Sequence, residues 1–410
     1  MARPRRGLAT YAKEAGRMTQ QRTLVGGSGQ PPAGPATSAG HVLQLLRSST
    51  AGYSRADLLD ITGMARSTLY ERLDALFAAG LVYESTPLRS QRGRPPRALR
   101  FDDRNKLVLA IEIGHTHASI HLLSLGRDIV ASARLPIQIS QPQEGVAGAV
   151  IEESLRLLGG RQPVGAGVGL PAPVDPLHRL GLERTVLAHW DLQRLQDVME
   201  ARLDCPVLLE NDARSMAVGE VREPLESLVA VKVSTGVGSG IIVRGALVRG
   251  AHGAAGDIGH VRIPEAAGRR CRCGRDGCLA AAASGRALLS APELAGYGTL
   301  RRLVDACGSD PAVRSAVTEA GRVLGRALAA TVGTLNPGRI AVGGLVGVLP
   351  DFLAACRQQI LDDAFEPSLV DLEVVSADSR TATAVGLCKL VEESLYAPER
   401  VEQLLAQRAG

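Results

Sequence analysis

One short stretch, GAAGDIGHVRIPEAAGRRCRCGRDGC over residues 253–278, constrains the fold more than any other part of the chain. Three of the seven cysteines, Cys271, Cys273 and Cys278, fall within eight residues, and His260 stands eleven residues before the first of them. Thiolates and an imidazole are the donors that zinc prefers, and four of them close a tetrahedron with no position left open for a substrate. Such a set pins a loop and is unsuited to hydrolysis. Three free thiols on a basic loop are the competing reading. The C-x-C-x4-C spacing, the glycines at 274 and 277 and the upstream histidine favour a structural Zn2+. Whatever surrounds this segment must then fold so that His260 returns to the three sulfurs.

A chain of 410 residues has room for two or three domains, and 45% apolar residues suffice for real cores. No apolar run approaches membrane-spanning length, so no membrane is expected among the partners. The N-terminal MARPRRGLATYAKEAGRMTQQ has an arginine pair but no apolar stretch behind it, and therefore does not read as an export signal. Thiols in such a chain suit a reducing compartment, which makes the cytoplasm the expected location. Aromatic residues are 3%, too few for platforms that stack single-stranded nucleic acid. Charge is uneven. Residues 1–100 hold 15 Lys and Arg against 6 Asp and Glu, whereas the other 310 hold 32 against 36. A basic module on a slightly acidic body points to a polyanion as the module's partner.

Residues 1–40, rich in Gly, Pro, Ser and Arg without apolar periodicity, read as a disordered basic arm. From residue 41 the pattern changes. Val42, Leu43, Leu45 and Leu46 suit one amphipathic helix, and Ser54 looks like the cap of a second over 55–61. Gly63 then allows a tight turn into a third helix over 65–79, with Leu69, Leu73, Leu76 and Phe77 at helical spacing. Gly80 ends it and Leu81-Val82-Tyr83 starts a strand. This order describes a winged helix-turn-helix over 41–100, with the wing tip at 91–97. Arg66, Ser67 and Thr68 open the recognition helix, and Tyr70 and Arg72 follow one turn on. Arg66 suits bidentate contact with guanine, Ser67 and Thr68 suit phosphate or base contacts, and Arg92, Arg94 and Arg97 suit the backbone or minor groove. Double-stranded DNA is the expected partner; docking of the module on the body or on another protein is the alternative.

Beyond Phe101, strands are expected over 107–113, 118–125, 129–135, 164–170, 205–210, 228–233, 240–243, 339–342 and 372–375. Two similar meanders, with glycine turns at 114–116 and 235–240 in corresponding places, suggest two α/β lobes. The first covers 101–220 and is completed by a C-terminal helix in 376–400; the second covers 221–375 and carries the metal loop. Four further segments complete the picture: GVGLPAPVD at 167–175, HWDL at 189–192, ENDARSMAVGE at 210–220 and STGVGSGIIVRGALVRGAHGAAGDIGH at 234–260. With CRCGRDGCLA at 271–280, they make residues 40–395 resemble the ROK family (repressors, open reading frames and sugar kinases). The likeness is greatest to the branch that sets a winged helix-turn-helix before a sugar-kinase-like body. It implies a two-lobed, actin-like (ribonuclease H-like) fold with a sugar cleft, and a homodimer or homotetramer.

The resemblance also assigns residues. The family's kinases carry a phosphate loop like Asp-x-Gly-Gly-Thr where this chain has Glu112-Ile113-Gly114-His115-Thr116. The longer acid and the imidazole in place of a glycine hydrogen should crowd ATP and its magnesium, so no kinase activity is expected, although Gly343-Gly344 keeps part of the adenosine-side pattern. Asp212 stands where the kinases have the general base, and Asn211, Asp212, Asp257 and His260 are the expected sugar contacts. Asp212 also reads as a helix cap. The kinases place glutamates at the positions of Asp257 and Ala280, so the cleft should suit a substituted or larger sugar. The resulting reading is a sugar-responsive repressor on a palindromic operator, with an active sugar kinase bearing a DNA-binding head, or a ligand-independent regulator, as alternatives.

Overall fold

The computed structural model describes residues 38–49, 51–87, 97–175, 185–378 and 380–409. The expected basic arm lies outside these apart from residues 38–40, as do Arg92, Arg94 and most of the wing tip. Among the described residues, no helix is long and apolar enough to cross a membrane.

Three helices come first: α1 (Ala39–Arg47), α2 (Arg55–Thr62) and α3 (Arg66–Ala78). Helix α1 starts earlier than expected, which corrects the boundary of the arm. Ser38 Oγ accepts from the His41 N–H, the Gly40 N–H donates to Glu402 Oε1 at 2.9 Å, and a Cβ on Gly40 would lie 2.4 Å from the Pro398 oxygen. The small residues that resembled a loose arm are thus required by a helix from the far end of the chain. Helix α2 opens with a reciprocal capping box between Ser54 and Asp57 and closes at Gly63, whose φ of 64° lies in the left-handed region. Leu58, Leu69, Leu73 and Leu76 bury completely or nearly so. Strands β1 (Val82–Pro87) and β2 (Arg97–Phe101) then pair antiparallel.

The body contains two five-stranded sheets. Strands β3 (Leu107–Ile113), β4 (His117–Ser124), β5 (Ile129–Pro136), β6 (Gly165–Leu170) and β7 (Val207–Asn211) lie in the order β5-β4-β3-β6-β7. Strands β8 (Leu228–Val233), β9 (Val237–Val243), β10 (Ala246–Leu247), β11 (Arg339–Gly343) and β12 (Glu373–Ser376) lie in the order β10-β9-β8-β11-β12. In each sheet an antiparallel meander is extended by two parallel strands, so the two lobes repeat one topology. The paired glycine turns do correspond, but the second is shorter than expected. Strand β9 begins at Val237, and Gly240 lies within it because a Cβ there would meet that of Ala217 at 2.5 Å. That glycine serves close packing of a helix on a strand.

The helices of the body are α4 (Gln143–Leu158), α5 (Leu192–Leu203), α6 (Asp212–Glu220), α7 (Ala280–Ala283), α8 (Gly285–Leu289), α9 (Leu300–Ala306), α10 (Pro311–Leu335), α11 (Gly344–Gly347), α12 (Pro350–Asp363), α13 (Ala382–Leu395) and α14 (Pro398–Ala409). Helices α10 and α12 cover the second sheet through Val317, Leu324, Phe352 and Cys356. The C-terminal part divides differently from the expected 376–400: Ser376 ends β12 in the second sheet, and α13 packs on β3, β6 and α6. Helices α6 and α13 touch backbone to backbone, since a Cβ on Gly219 would lie 1.8 Å from the Ala382 oxygen and one on Gly386 1.7 Å from the Ser215 oxygen.

Helix α14 turns back onto α1, and the N-terminal head shares a continuous apolar core with α13 through Leu43, Leu46, Leu99, Phe101, Leu387, Leu390 and Tyr396. Glu392 on α13 binds Arg47 of the head at 3.0 Å and Arg127 of the first lobe at 3.2 Å. Arg408 Nη1 donates to the Ala79 oxygen at 2.9 Å. The head is therefore docked on the body through the last two helices.

Candidate ligand cleft and metal cluster

The loop after β10 brings four donors together. A ring nitrogen of His260 and the sulfurs of Cys271, Cys273 and Cys278 all lie within 4.8 Å of one another. His260 Nδ1 is 3.5 Å from Cys271 Sγ, and Cys273 Sγ is 3.7 Å from Cys278 Sγ. A tetrahedron with metal–sulfur bonds of 2.3 Å has edges of about 3.6–3.8 Å, so these two separations match it, and the set could hold a metal ion once its widest pair, within 4.8 Å, draws in. The local chain explains the convergence. Gly274 and Gly277 adopt φ of 85° and 84°, the Cys271 N–H donates to the Arg275 oxygen, and the Leu279 N–H donates to the Val261 oxygen just past His260. Cys205, Cys356 and Cys388 lie outside the cluster, and burial pushes each thiol up to about 12.

Between the lobes, Lys232 stands one residue from the end of β8 and Glu112 one residue from the end of β3. Lys232 Nζ donates to Glu112 Oε1 and, at 2.7 Å, to Asp212 Oδ2. Burial works to raise the Glu112 carboxyl, yet the ammonium overrides it and leaves the acid below its usual range. At Asp212 burial wins, aided by the neighbouring Glu112, and the carboxyl is raised despite Lys232. Burial alone would lower Lys232, but the two carboxylates hold its ammonium above the usual range. This triad spans the cleft.

Asn211 is committed to the chain. Its Oδ1 caps α6 by accepting from the N–H groups of Ala213 at 3.1 Å and Arg214 at 3.0 Å, and its Nδ2 donates to the Ala172 oxygen at 3.1 Å. The N-cap thus falls one residue before Asp212, where the sequence had suggested it, although Asp212 Oδ1 also accepts from Ala213 N–H at 2.8 Å. Asp257 is open to solvent on one side. Desolvation nevertheless raises its carboxyl, opposed by His260, Arg275 and Arg214. Arg214 is fully buried on Glu210 at 3.0 Å, which also holds Arg249. His115 lies in the turn after β3 with its Nδ1 buried and unpartnered; burial, then Arg272 and Arg286, push its ring down to about 4, so it is neutral at pH 7.

In the head, Arg66 and Ser67 are exposed and Thr68 is half-buried at the start of α3, whose cap residue Ala65 offers no side-chain bond. The Arg66 guanidinium lies 5.4 Å from the centre of the Tyr70 ring, and Arg55 lies 5.6 Å from it. Arg72 is partly engaged by Glu71 at 3.8 Å. Arg97 is bound to Glu84, which also clasps Arg55, so it braces the base of the hairpin.

Residues 108–394 match the sequence profile of the ROK family. The chain belongs to the ROK family. A putative xylose repressor of Caldicellulosiruptor sp. (strain Rt8B.4) is 26% identical over 376 residues, 85% of this chain and 94% of its own. An N-acetylmannosamine kinase of Escherichia coli (strain SMS-3-5 / SECEC) is 30% identical over 284 residues, 67% of this chain and 94% of its own. A solved ROK family transcriptional regulator, described as a homologue of the E. coli MLC protein, aligns at a TM-score of 0.71 over 90% of this chain and 98% of its own. At 24% identity this likeness shows a shared fold.

The body therefore has the two-lobed, actin-like sugar-kinase fold of the ROK family, built on mixed α/β sheets. Within this ROK cleft the structure brings Asn211, Asp212 and Lys232 together, and places Asp257 and His260 on the loop of the His/Cys cluster. Two residues escaped the sequence reading. Lys232 did leave a signal: it is the only charge in an otherwise apolar six-residue strand, and a buried charge requires partners. Glu392 left none, because its partners lie on distant segments. The glycine pair at 343–344 has a structural reason of its own, since Gly344 has φ of 85° and a Cβ there would lie 2.4 Å from the Val233 oxygen.

Proposed function

We propose that this ROK protein is a sugar-responsive, DNA-binding transcriptional regulator, a repressor of carbohydrate uptake or catabolism genes acting in the cytoplasm. The observation that carries the reading is the union of a docked basic head with a kinase-like cleft whose aspartate is held by Lys232. Residues 41–100 act as a winged helix-turn-helix. Arg66, Ser67, Thr68 and Tyr70 enter the major groove, and Arg72, Arg92 and Arg94 meet the phosphates. Two subunits of a homodimer or homotetramer set two such heads on a palindromic operator. His260, Cys271, Cys273 and Cys278 hold a structural Zn2+, which fixes the loop carrying Asp257 and leaves the other ring nitrogen of His260 for the ligand. Asp212, Asp257 and His260 accept or donate hydrogen bonds to sugar hydroxyls, and Asn211 positions Asp212.

A route from cleft to head supports this reading. Helix α6, which begins at Asp212, touches α13 without side chains between them, and α13 holds Arg47 through Glu392. A small shift of α6 on ligand binding then moves the heads, and half-sites on DNA tolerate little change from a spacing of about 34–36 Å. Arg66→Ala is expected to weaken binding to an operator fragment recovered by genomic footprinting by about ten- to a hundred-fold in fluorescence anisotropy at fixed salt, with sugar binding retained. Loss of sugar binding in that variant contradicts the division of labour.

The kinase alternative has Asp212 and the kinase relatives in its favour. Against it, both carboxylates that would serve phosphoryl transfer are engaged by Lys232, and the His115 ring stands in the first turn. A coupled ADP-release assay over hexoses and amino sugars is expected to show the same background for the parent chain and Asp212→Asn. Turnover abolished by that substitution makes the protein an enzyme.

A further inference from the structure

The turn between β4 and β5 holds an arginine in a conformation that arginine disfavours. Arg127 has φ of 73°, in the left-handed region, where a Cβ crowds the following carbonyl oxygen. Among the described residues six non-glycine positions adopt positive φ, and four of them are Asn or Asp, whose short polar side chains tolerate it. The other two are Arg127 and Arg244, which occupy corresponding hairpin turns: 125–128 between β4 and β5, and 244–245 between β9 and β10. Their surroundings differ. Arg244 is exposed and forms no ion pair among the described residues. Arg127 Nη1 donates to the Leu125 oxygen at 3.3 Å, and its Nη2 donates to Glu392 Oε2 at 3.2 Å.

Glu392 is held at both oxygens. Its Oε1 accepts from Arg47 Nη2 at 3.0 Å and Nε at 3.3 Å, so one carboxylate on α13 joins the head to the first lobe. The Arg47 guanidinium lies 5.8 Å from the centre of the Phe101 ring and 5.4 Å from that of Tyr396, and these two rings meet edge to face at 4.9 Å. Phe101 ends β2, so the first helix and the last strand of the head converge on this carboxylate. The turn also reaches the linker 102–106 directly, because the Leu125 N–H donates to the Lys106 oxygen at 3.2 Å. At its other end β4 starts beside the cleft. The Gly114 N–H donates to the His117 oxygen at 2.9 Å, and Glu112, bound to Lys232 of the second lobe, lies opposite Ser119. Strands β3 and β4 pair residue by residue between these ends, which makes them a stiff rod of roughly 25 Å from cleft to head.

We infer that Arg127 is a positioning residue for DNA binding: through Glu392 it fixes the angle of the head on the body, and with it the separation of two recognition helices in a dimer. The inference rests on the DNA-binding reading above and adds the residue that sets the head. The strained backbone at 127 places a guanidinium where the turn by itself would favour glycine. A head free to tilt loses orientational freedom on engaging two half-sites, which weakens binding and blunts discrimination between half-site spacings.

Arg127→Gly separates positioning from stability, since it removes the guanidinium and the backbone strain together. The full chain and its variants are titrated by fluorescence anisotropy at one salt concentration against two DNA fragments. One is the operator recovered by genomic footprinting, and the other is the same fragment with one base pair inserted between the half-sites. The parent is expected to prefer the native spacing, and Arg127→Gly to cut that preference by about ten-fold. Its thermal midpoint should stay within about 2 °C of the parent's, because relief of strain offsets the lost ion pair. Arg127→Lys should keep most of the preference, since a single N–H to carboxylate contact needs a cation and not a guanidinium fork. Arg244→Gly is the control: it relieves the same strain in the other lobe and should leave the preference unchanged. An unaltered preference in Arg127→Gly overturns the inference, as does a parent that binds both fragments equally. A midpoint lowered by several degrees with loss of binding to both fragments, in Arg127→Gly and Arg127→Lys alike, makes Arg127 a structural brace and overturns it too. Failure of the parent to bind either fragment removes the DNA-binding reading and this inference with it.

Discussion

Cys278→Ser is expected to leave the protein without its metal and to lower its unfolding midpoint by roughly 6–12 °C, equivalent to a loss of about 3 kcal/mol or more. Cys278 is the fully buried member of the cluster, bridged to Arg262 and followed by the equally buried Leu279 at the entry to α7. A serine hydroxyl is a poor ligand for zinc, and the three remaining donors cannot complete the tetrahedron. The loop would then have to hold two buried thiols and an imidazole together without the ion that draws them in. Metal content by elemental analysis and thermal unfolding read the two consequences separately. Cys356→Ser is the control: this thiol is equally buried but lies outside the cluster, so one equivalent of zinc should remain. A full equivalent of zinc in Cys278→Ser would remove the metal site from the account.

Gly386→Ala should cost about 3 kcal/mol although it adds only a methyl group outside the His/Cys cluster. The new Cβ would lie 1.7 Å from the Ser215 oxygen and 2.8 Å from the Gly219 nitrogen. Both neighbours are backbone atoms of α6, so no flexible side chain can yield. Helix α6 must shift, and with it Asp212 and the Lys232 triad. The variant is therefore expected to lose sugar affinity and operator affinity together with stability, in contrast to Arg66→Ala. Gly145→Ala gives the opposite sign. It also lies in a helix, but nothing stands within 4 Å of its Cβ position, and replacing a helical glycine stabilises by roughly 0.5–1 kcal/mol. An unmoved midpoint in Gly386→Ala would refute the close contact of α6 and α13.

Much of this architecture was legible in local pattern. The third helix of the head, strands β3 and β8, the two-lobe repeat and the four-donor loop lie where hydrophobic spacing, glycine and cysteine arithmetic put them. The partial failures share one cause. The cap before α6 fell on Asn211 because that side chain also reaches Ala172, and Gly240 proved to be a strand residue because α6 packs over it. Helix α1 reached back to Ala39 because α14 covers it.

By itself, the sequence determined the main element types, the His/Cys set that could hold a metal and the family, because each depends on residues close together in the chain. Tertiary structure alone decided the state of the cleft and the link to the head. Lys232 meets Glu112 across 120 residues and Asp212 across 20, and Glu392 meets Arg47 across 345. A buried charge announces that it needs a partner; which partner it finds depends on how the sheets and the last two helices pack.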